Sequence, residues 1–153
     1  MFGPGPSPNF SSMILVTGGT GFIGSNLVGS LAEQGERVSI CDTLGTGEKW
    51  KNIAAHEIDE LVDPSAIDEF LARRGDEIDF VYHMGAISAT TETNVDLITD
   101  ANLRLSQRLW RWCVAHEVSL VYASSAATYG DGSHGFLDGD DPASLEPLRP
   151  LNP

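Results

Sequence analysis

The chain has 153 residues, enough for one ordinary domain and too few for two. Hydrophobic residues make up 41% and charged residues 20%, which supports a packed core and excludes wholesale disorder. Nine Lys and Arg against 22 Asp and Glu leave a net charge of −13, and such a surface repels nucleic-acid backbones and anionic lipid.

Residues 1–12 carry three prolines and two glycines in their first eight positions, which suits neither a helix nor a ladder, and read as a flexible leader. They lack the basic start and apolar centre of a signal peptide. No apolar run approaches the roughly 18–20 residues of a membrane span. Met13-Ile14-Leu15-Val16-Thr17 is a short apolar run with β-branched members, as expected of a strand buried on both faces. A glycine-rich turn follows, and then Ile23, Leu27, Val28 and Leu31 recur at helical spacing until Gly35. Val38-Ser39-Ile40-Cys41-Asp42 reads as a second strand ending in an acid.

A looser stretch leads to an expected third strand near Ile53–Ile58. Asp63 and Pro64 form a helix start, with Asp63 as N-cap and Ile67, Phe70 and Leu71 as the buried stripe. Residues 78–82 make a fourth strand. Leu97, Ile98, Ala101, Leu105, Leu109, Trp112 and Cys113 trace one face of a long helix, and residues 118–123 make a fifth strand. Trp110, Trp112 and Phe70 are expected between helix and sheet. The Gly-, Asp- and Pro-rich segment after Gly130 is expected to be loop. Its run Asp138-Gly139-Asp140-Asp141 has no His or Cys beside it and reads as solvated rather than metal-binding. Cys41 and Cys113 lie inside apolar runs and read as reduced core thiols of a cytoplasmic protein. Strands alternating with helices predict an α/β fold, a Rossmann-type doubly wound parallel sheet with helices on both faces.

The chemistry starts at Gly18-x-x-Gly21-x-x-Gly24, set between a strand and a helix. A dinucleotide diphosphate must approach the helix N-terminus at backbone distance, and side chains there would block it. Asp42 stands 18 residues beyond Gly24, at the end of the second strand, where a carboxylate can accept from ribose hydroxyls. It disfavours a 2′-phosphate, whereas Lys49 could neutralise one, so NAD and NADP both stay open. Ligands in such sheets lie beyond the carboxyl ends of the strands. Two segments leave strands there. One is His83-Met84-Gly85-Ala86-Ile87-Ser88, whose small Gly85 and Ala86 let a dinucleotide lie against the backbone and whose His83 is expected to pack and hydrogen-bond locally. The other is Ser124-Ser125-Ala126-Ala127-Thr128-Tyr129-Gly130, in which the Ser125 hydroxyl either serves a substrate oxygen or ends the strand.

Residues 17–24 and 124–130 resemble the extended short-chain dehydrogenase/reductase superfamily, the nucleotide-sugar epimerases and dehydratases, and the likeness runs from Met13 to Pro153. His83-x-Gly85-Ala86-x-Ser88-x-Thr90-Thr91-Glu92 is similar to the branch that epimerises ADP-linked heptoses. Beside Gly18, Gly21 and Gly24 of the turn, the resemblance implies cofactor contacts at Phe22, Ile23, Asp42, Thr43, Lys49, Met84, Gly85, Ala86, Ile87, Ser88 and Asn102. It also implies a catalytic hydroxyl at Ser125 and sugar contacts at Thr90, Thr91 and Glu92. A lysine that the family carries early in the helix after its third strand falls on Pro64, so no role is transferred there.

The family continues from a Pro-Leu-Asn segment into Tyr-x-x-x-Lys, a motif found nowhere in these 153 residues. The domain is therefore expected to stop short of its catalytic helix and its C-terminal substrate part. The fifth strand is then expected to be an edge, and the chain to bind NAD or NADP without turning over by itself. The implied partners are a nucleotide sugar and, in the complete enzyme, further copies of the chain. A UDP-sugar 4-epimerase or dehydratase, a non-enzymatic NAD(P) sensor and a flavodoxin-like mononucleotide binder are the competing readings.

Overall fold

The computed structural model describes residues 12–89, 91–137, 139 and 141–150. The expected leader, apart from Ser12, lies outside them, as does Thr90. Backbone contacts divide the chain into two units, Met1–Tyr122 and Ala123–Pro153.

In the first unit, five parallel strands stand in the order β3-β2-β1-β4-β5. They are β1 (Met13–Thr17), β2 (Val38–Cys41), β3 (Glu60–Val62), β4 (Ile78–His83) and β5 (Ser119–Tyr122). The order turns back on itself at β1, whose register runs Thr17 against Cys41 on one side and His83 on the other. This is the switch point of a doubly wound sheet, and the crevice it opens lies beyond the carboxyl ends of β1 and β4.

Alternation along the strands supplies both faces with core. Val16 and Ile40 point with Val28, Leu31 and Val38 toward α1 (Phe22–Glu33). Leu15, Cys41 and Val81 point the other way, with Ile67, Phe70 and Leu71 of α2 (Ile67–Arg74) and Leu105, Leu109 and Cys113 of a later helix. Strands buried on both sides read as nearly continuous apolar runs; β1 does so, and β2 does so except at Ser39, which is buried with its hydroxyl on Met13 Sδ at 3.0 Å. Both cysteines are buried and free, as expected.

The third strand falls later than expected. Ile53 is buried against the α1 face, but its amide and that of His56 close turns (Ile53 N to Trp50 O, His56 N to Ile53 O) instead of joining a ladder. The apolar spacing over residues 53–58 therefore marks a loop plugging the core, while the strand itself is the charged edge segment Glu60–Val62. The start of the next helix is as expected: Asp63 accepts from Ser65 N at 2.9 Å, and Pro64 opens the first turn.

The long helix is interrupted. It begins as α3 (Val95–Ile98), capped by Asn94, widens into a π turn over Thr99–Arg104, and resumes as α4 (Leu105–His116). Of the residues expected between helix and sheet, Phe70 is buried and Trp112 packs against the core, but Trp110 is 60% exposed. Trp110 follows Leu109 by one residue, about 100° round the helix from that fully buried position, so it turns out of the interface.

In the second unit, the expected loop contains a short helix α5 (Pro142–Leu145), whose N-cap Asp141 accepts from Ala143 N at 2.9 Å. Among the described residues no helix is long and apolar enough to cross a membrane, and no group of His, Cys, Asp and Glu could hold a metal ion.

Candidate dinucleotide site

The glycine turn is shaped by contacts that exclude side chains. Gly18 has φ +67°, donates its amide to Cys41 O at 2.9 Å, and accepts from Gly21 N at 3.0 Å. A Cβ on Gly18 would stand 2.6 Å from both Cα and N of Gly85, and one on Gly24 would stand 2.1 Å from Gly18 O. Gly18 thus lets β1 and β4 touch where they end, and Gly24 lets the first turn of α1 pack on the loop. Gly21 serves as N-cap of α1 without a side chain, and no acid occupies the helix's first turn. The unpaired amides and the positive end of the helix dipole meet there, an arrangement that favours an anion. Phe22 and Ile23 flank it, 85% and 68% exposed.

Asp42 stands just past β2 and is tied to this turn. One oxygen accepts from Thr20 N at 2.9 Å and from the Thr20 hydroxyl; the other accepts from Thr43 N at 2.7 Å and Lys49 Nζ at 2.9 Å. Burial works against its charge, but the Thr20 and Lys49 donors outweigh it and hold the carboxyl below the usual range. Asn52 ties the far side of the same turn, donating to Thr20 O at 2.8 Å. Thr20 and Asn52 had no signal in spacing or composition. Their roles follow from where the turn folds over the end of β2.

The strip after β4 is equally fixed. Met84 N donates to Thr17 O at 3.2 Å and Gly85 N to Thr17 Oγ1 at 3.0 Å. Asn102 clasps Ile87 with both ends of its amide, accepting from Ile87 N at 2.7 Å and donating to Ile87 O at 3.0 Å. The structure thus places Asn102 as a brace of the strip, while Ala86 and Ser88 stay exposed. His83 is buried, with Thr17 Oγ1 2.6 Å from Nδ1 and Ser106 Oγ 2.8 Å from Nε2, the local hydrogen bonding expected of it.

The structure therefore brings the glycine turn, Asp42, Thr43, Lys49 and the 84–88 strip to one end of the sheet. Of the expected sugar contacts, Thr91 lies in a turn, and Glu92 folds back to accept from Thr93 N and Asn94 N at 2.8 and 2.7 Å. In the second unit Ser125 caps a short 3-10 turn, accepting from Ala127 N at 3.2 Å. Used as an acceptor there, its hydroxyl keeps its proton for another partner.

A parallel doubly wound sheet with a glycine turn at its switch point and an acid after its second strand defines a dinucleotide-binding architecture. A family model described as "NAD dependent epimerase/dehydratase family" matches residues 14–153, and the chain belongs to that family. It is 43% identical over 143 residues to the ADP-L-glycero-D-manno-heptose-6-epimerase of Fusobacterium nucleatum, covering 92% of this chain and 43% of that protein. A solved ADP-L-glycero-D-manno-heptose-6-epimerase from Helicobacter pylori superposes with TM-score 0.67 at 29% identity, over 78% of this chain and 41% of that one. MoeE5, solved with UDP-glucuronic acid and NAD, superposes with TM-score 0.68 at 30% identity, over 92% and 44% of the two chains. The chain spans less than half the length of the curated relatives it matches.

Proposed function

We propose that this chain is the dinucleotide-binding part of a nucleotide-sugar epimerase that uses NAD or NADP, with an ADP-linked glycero-manno-heptose as its sugar. The observation that carries the reading is the Gly18/Gly21/Gly24 turn, where the approach of Gly24 to Gly18 O leaves no room for a Cβ beside the amides that open α1. The identity to heptose epimerases in particular supports the choice of sugar.

In that role the amides of the turn and the α1 N-terminus hold the diphosphate. Asp42, Thr43 and Lys49 bind the adenosine ribose or its 2′-phosphate. Residues 84–88 form the floor under the dinucleotide, and Phe22 and Ile23 pack on it from α1. A bound nicotinamide would supply transient hydride acceptance and return at one sugar carbon. Ser125 would hydrogen-bond the reacting oxygen and stabilise its developing charge, with Thr90, Thr91 and Glu92 toward the sugar. A base is still required to take the hydroxyl proton, and no Tyr-x-x-x-Lys occurs in these 153 residues, so the chain as it stands binds without turning over.

Calorimetry with NAD and NADP tests the binding. A longer polypeptide that includes this sequence, assayed against ADP-heptose and UDP-hexoses, tests the substrate. Saturable heat with either dinucleotide is expected, and no heat with either overturns the reading. Turnover of UDP-hexoses alone overturns the choice of sugar.

A further inference from the structure

His83 is buried at the end of β4, and the proposed chemistry gives it no proton to move. Its two ring nitrogens nevertheless have defined roles. Ser106 Oγ lies 2.7 Å from the carbonyl of Asn102, and a carbonyl can only accept, so the Ser106 proton is spent there. Ser106 must then accept from Nε2 of His83, 2.8 Å away. Across the ring, Thr17 Oγ1 already accepts from Gly85 N, and its proton is left for Nδ1 at 2.6 Å. All five groups agree on one state, a neutral imidazole protonated on Nε2.

The chain of bonds does not end at the ring. Thr17 passes it to Gly85, and Ser106 holds the backbone carbonyl of Asn102, the residue whose side-chain amide clasps Ile87. Asn102 sits inside the π turn, a local widening of the kind that recurs at functional sites. We propose that His83 is a positioning residue for the dinucleotide: its neutral ring fixes Gly85 through Thr17 and Ile87 through Ser106 and Asn102, holding the strip on which the cofactor lies. The inference rests on the dinucleotide reading above.

Protonation would place a hydrogen on Nδ1 and turn Thr17 Oγ1 from donor to acceptor there, so the Thr17 proton would have to rotate away and the single arrangement described above would be lost. Thr17 from β1 and Ser106 from α4 bond the ring, the Tyr122 ring of β5 lies 5.4 Å from it, and Asn102, Gln107 and Arg111 line the same cleft. None is a carboxylate, so nothing there rewards an imidazolium, and burial pushes the ring below the usual histidine range.

The test uses the full 153-residue chain, NAD and NADP as probes, and the variants H83N and H83Q. Asparagine places an amide oxygen near the Nδ1 position and keeps the Thr17 bond; glutamine reaches the Nε2 position and keeps the Ser106 bond. Neither ionises. Nitrogen NMR of the wild-type ring is expected to show bare Nδ1 and protonated Nε2 at neutral pH. Amide exchange is expected to quicken at Gly85 in H83Q and at Ile87 in H83N. Both variants are expected to bind dinucleotide several-fold more weakly than the wild type at neutral pH, and the loss of affinity that the wild type shows as its ring protonates in acid is expected to be absent from both. A protonated Nδ1, unchanged exchange at both amides, or the wild-type loss in acid surviving in both variants overturns the proposal alone. No heat from the wild type with either dinucleotide at any pH overturns the dinucleotide reading, and the proposal with it.

Discussion

Replacing Gly24 by alanine sets two physical effects against each other. Gly24 is in the first turn of α1 with ordinary helical backbone, so propensity alone predicts that Gly24→Ala stabilises the helix by about 1 kcal/mol. The packing predicts the reverse. The new Cβ would stand 2.1 Å from Gly18 O, and Gly18 or the helix start must move by on the order of 1 Å to admit it. Overpacking of this kind costs about 1–3 kcal/mol, and displacing Gly18 O also threatens the bond from Gly21 N, another ~1 kcal/mol. The net expectation is a loss of about 1–3 kcal/mol, seen as a lower urea midpoint with unchanged slope. Because the displaced atoms form the proposed diphosphate cradle, calorimetric binding of NAD should fall far more than stability does. Gly47→Ala is the matched control, with open space around it and no positive φ; it should be neutral to slightly stabilising. A Gly24→Ala chain as stable as the wild type, with undiminished binding, refutes the reasoning.

Asp42→Asn keeps the shape but cannot accept from Thr20 and Lys49 as a carboxylate does, and should cost about 1–3 kcal/mol in urea unfolding at neutral pH. The folded-state pKa of Asp42 is depressed, so its contribution is full above the ordinary aspartate value of about 3.9 and fades as pH falls through the folded value. The gap between wild type and variant should therefore close in acid, and a gap constant down to about pH 2 contradicts the assignment. The Cys41 thiol is pushed up to about 12 by burial and then by the neighbouring charges of Asp42 and Asp63, and burial raises Cys113 too. Both should resist iodoacetamide in the native chain at about pH 8 and react in urea; fast native modification, read by mass spectrometry, would count against the packing. Arg74→Met removes the cation shared by Asp59, Glu60 and Glu77 and should destabilise by about 1–2 kcal/mol, less in high salt, without changing dinucleotide affinity. A loss of affinity in that variant with stability intact would show that the two ends of the sheet are not independent.

The parts of the fold that the sequence announces are those where one physical demand dominates. β1 and β2 are buried on both faces and show it as apolar runs that end in the glycine turn and in Asp42, and Asp63-Pro64 carries its cap chemistry on its face. The region over residues 53–58 misleads because Ile53 and Ile58 are apolar for a loop's sake: burial against α1 leaves the same trace as a short strand. The π turn at Thr99–Arg104 leaves no trace, since one residue of extra width shifts the helical stripe too little to register. In the site, the glycines and Asp42 are legible because backbone approach and charge restrict residue type. Thr17, Thr20, Ser106 and Asn52 are not, because a hydroxyl or amide acquires its role only when the fold brings distant residues together. His83 and Ser106, 23 positions apart, have no spacing rule to link them.

The charge distribution explains why the two ends of this sheet are built from different materials. At the end where the strands begin, Arg37 and Arg74 lie among Asp59, Glu60 and Glu77, linking the starts of β2, β3 and β4 to the end of α2. Such a network fastens elements but leaves its cations committed. At the end where the strands finish, Lys49 is held by Asp42, and the neighbouring positions are filled by hydroxyls, amides and glycines. In a chain of net charge −13, a pocket that gripped an anion with lysines would compete with nearby carboxylates for its own ligands. Backbone amides escape that competition, because they cannot turn away to pair with an acid. In the proposed cradle rigidity must then replace charge, and the bonds through Thr17, Thr20 and Asn102 supply it to the turn and the strip alike.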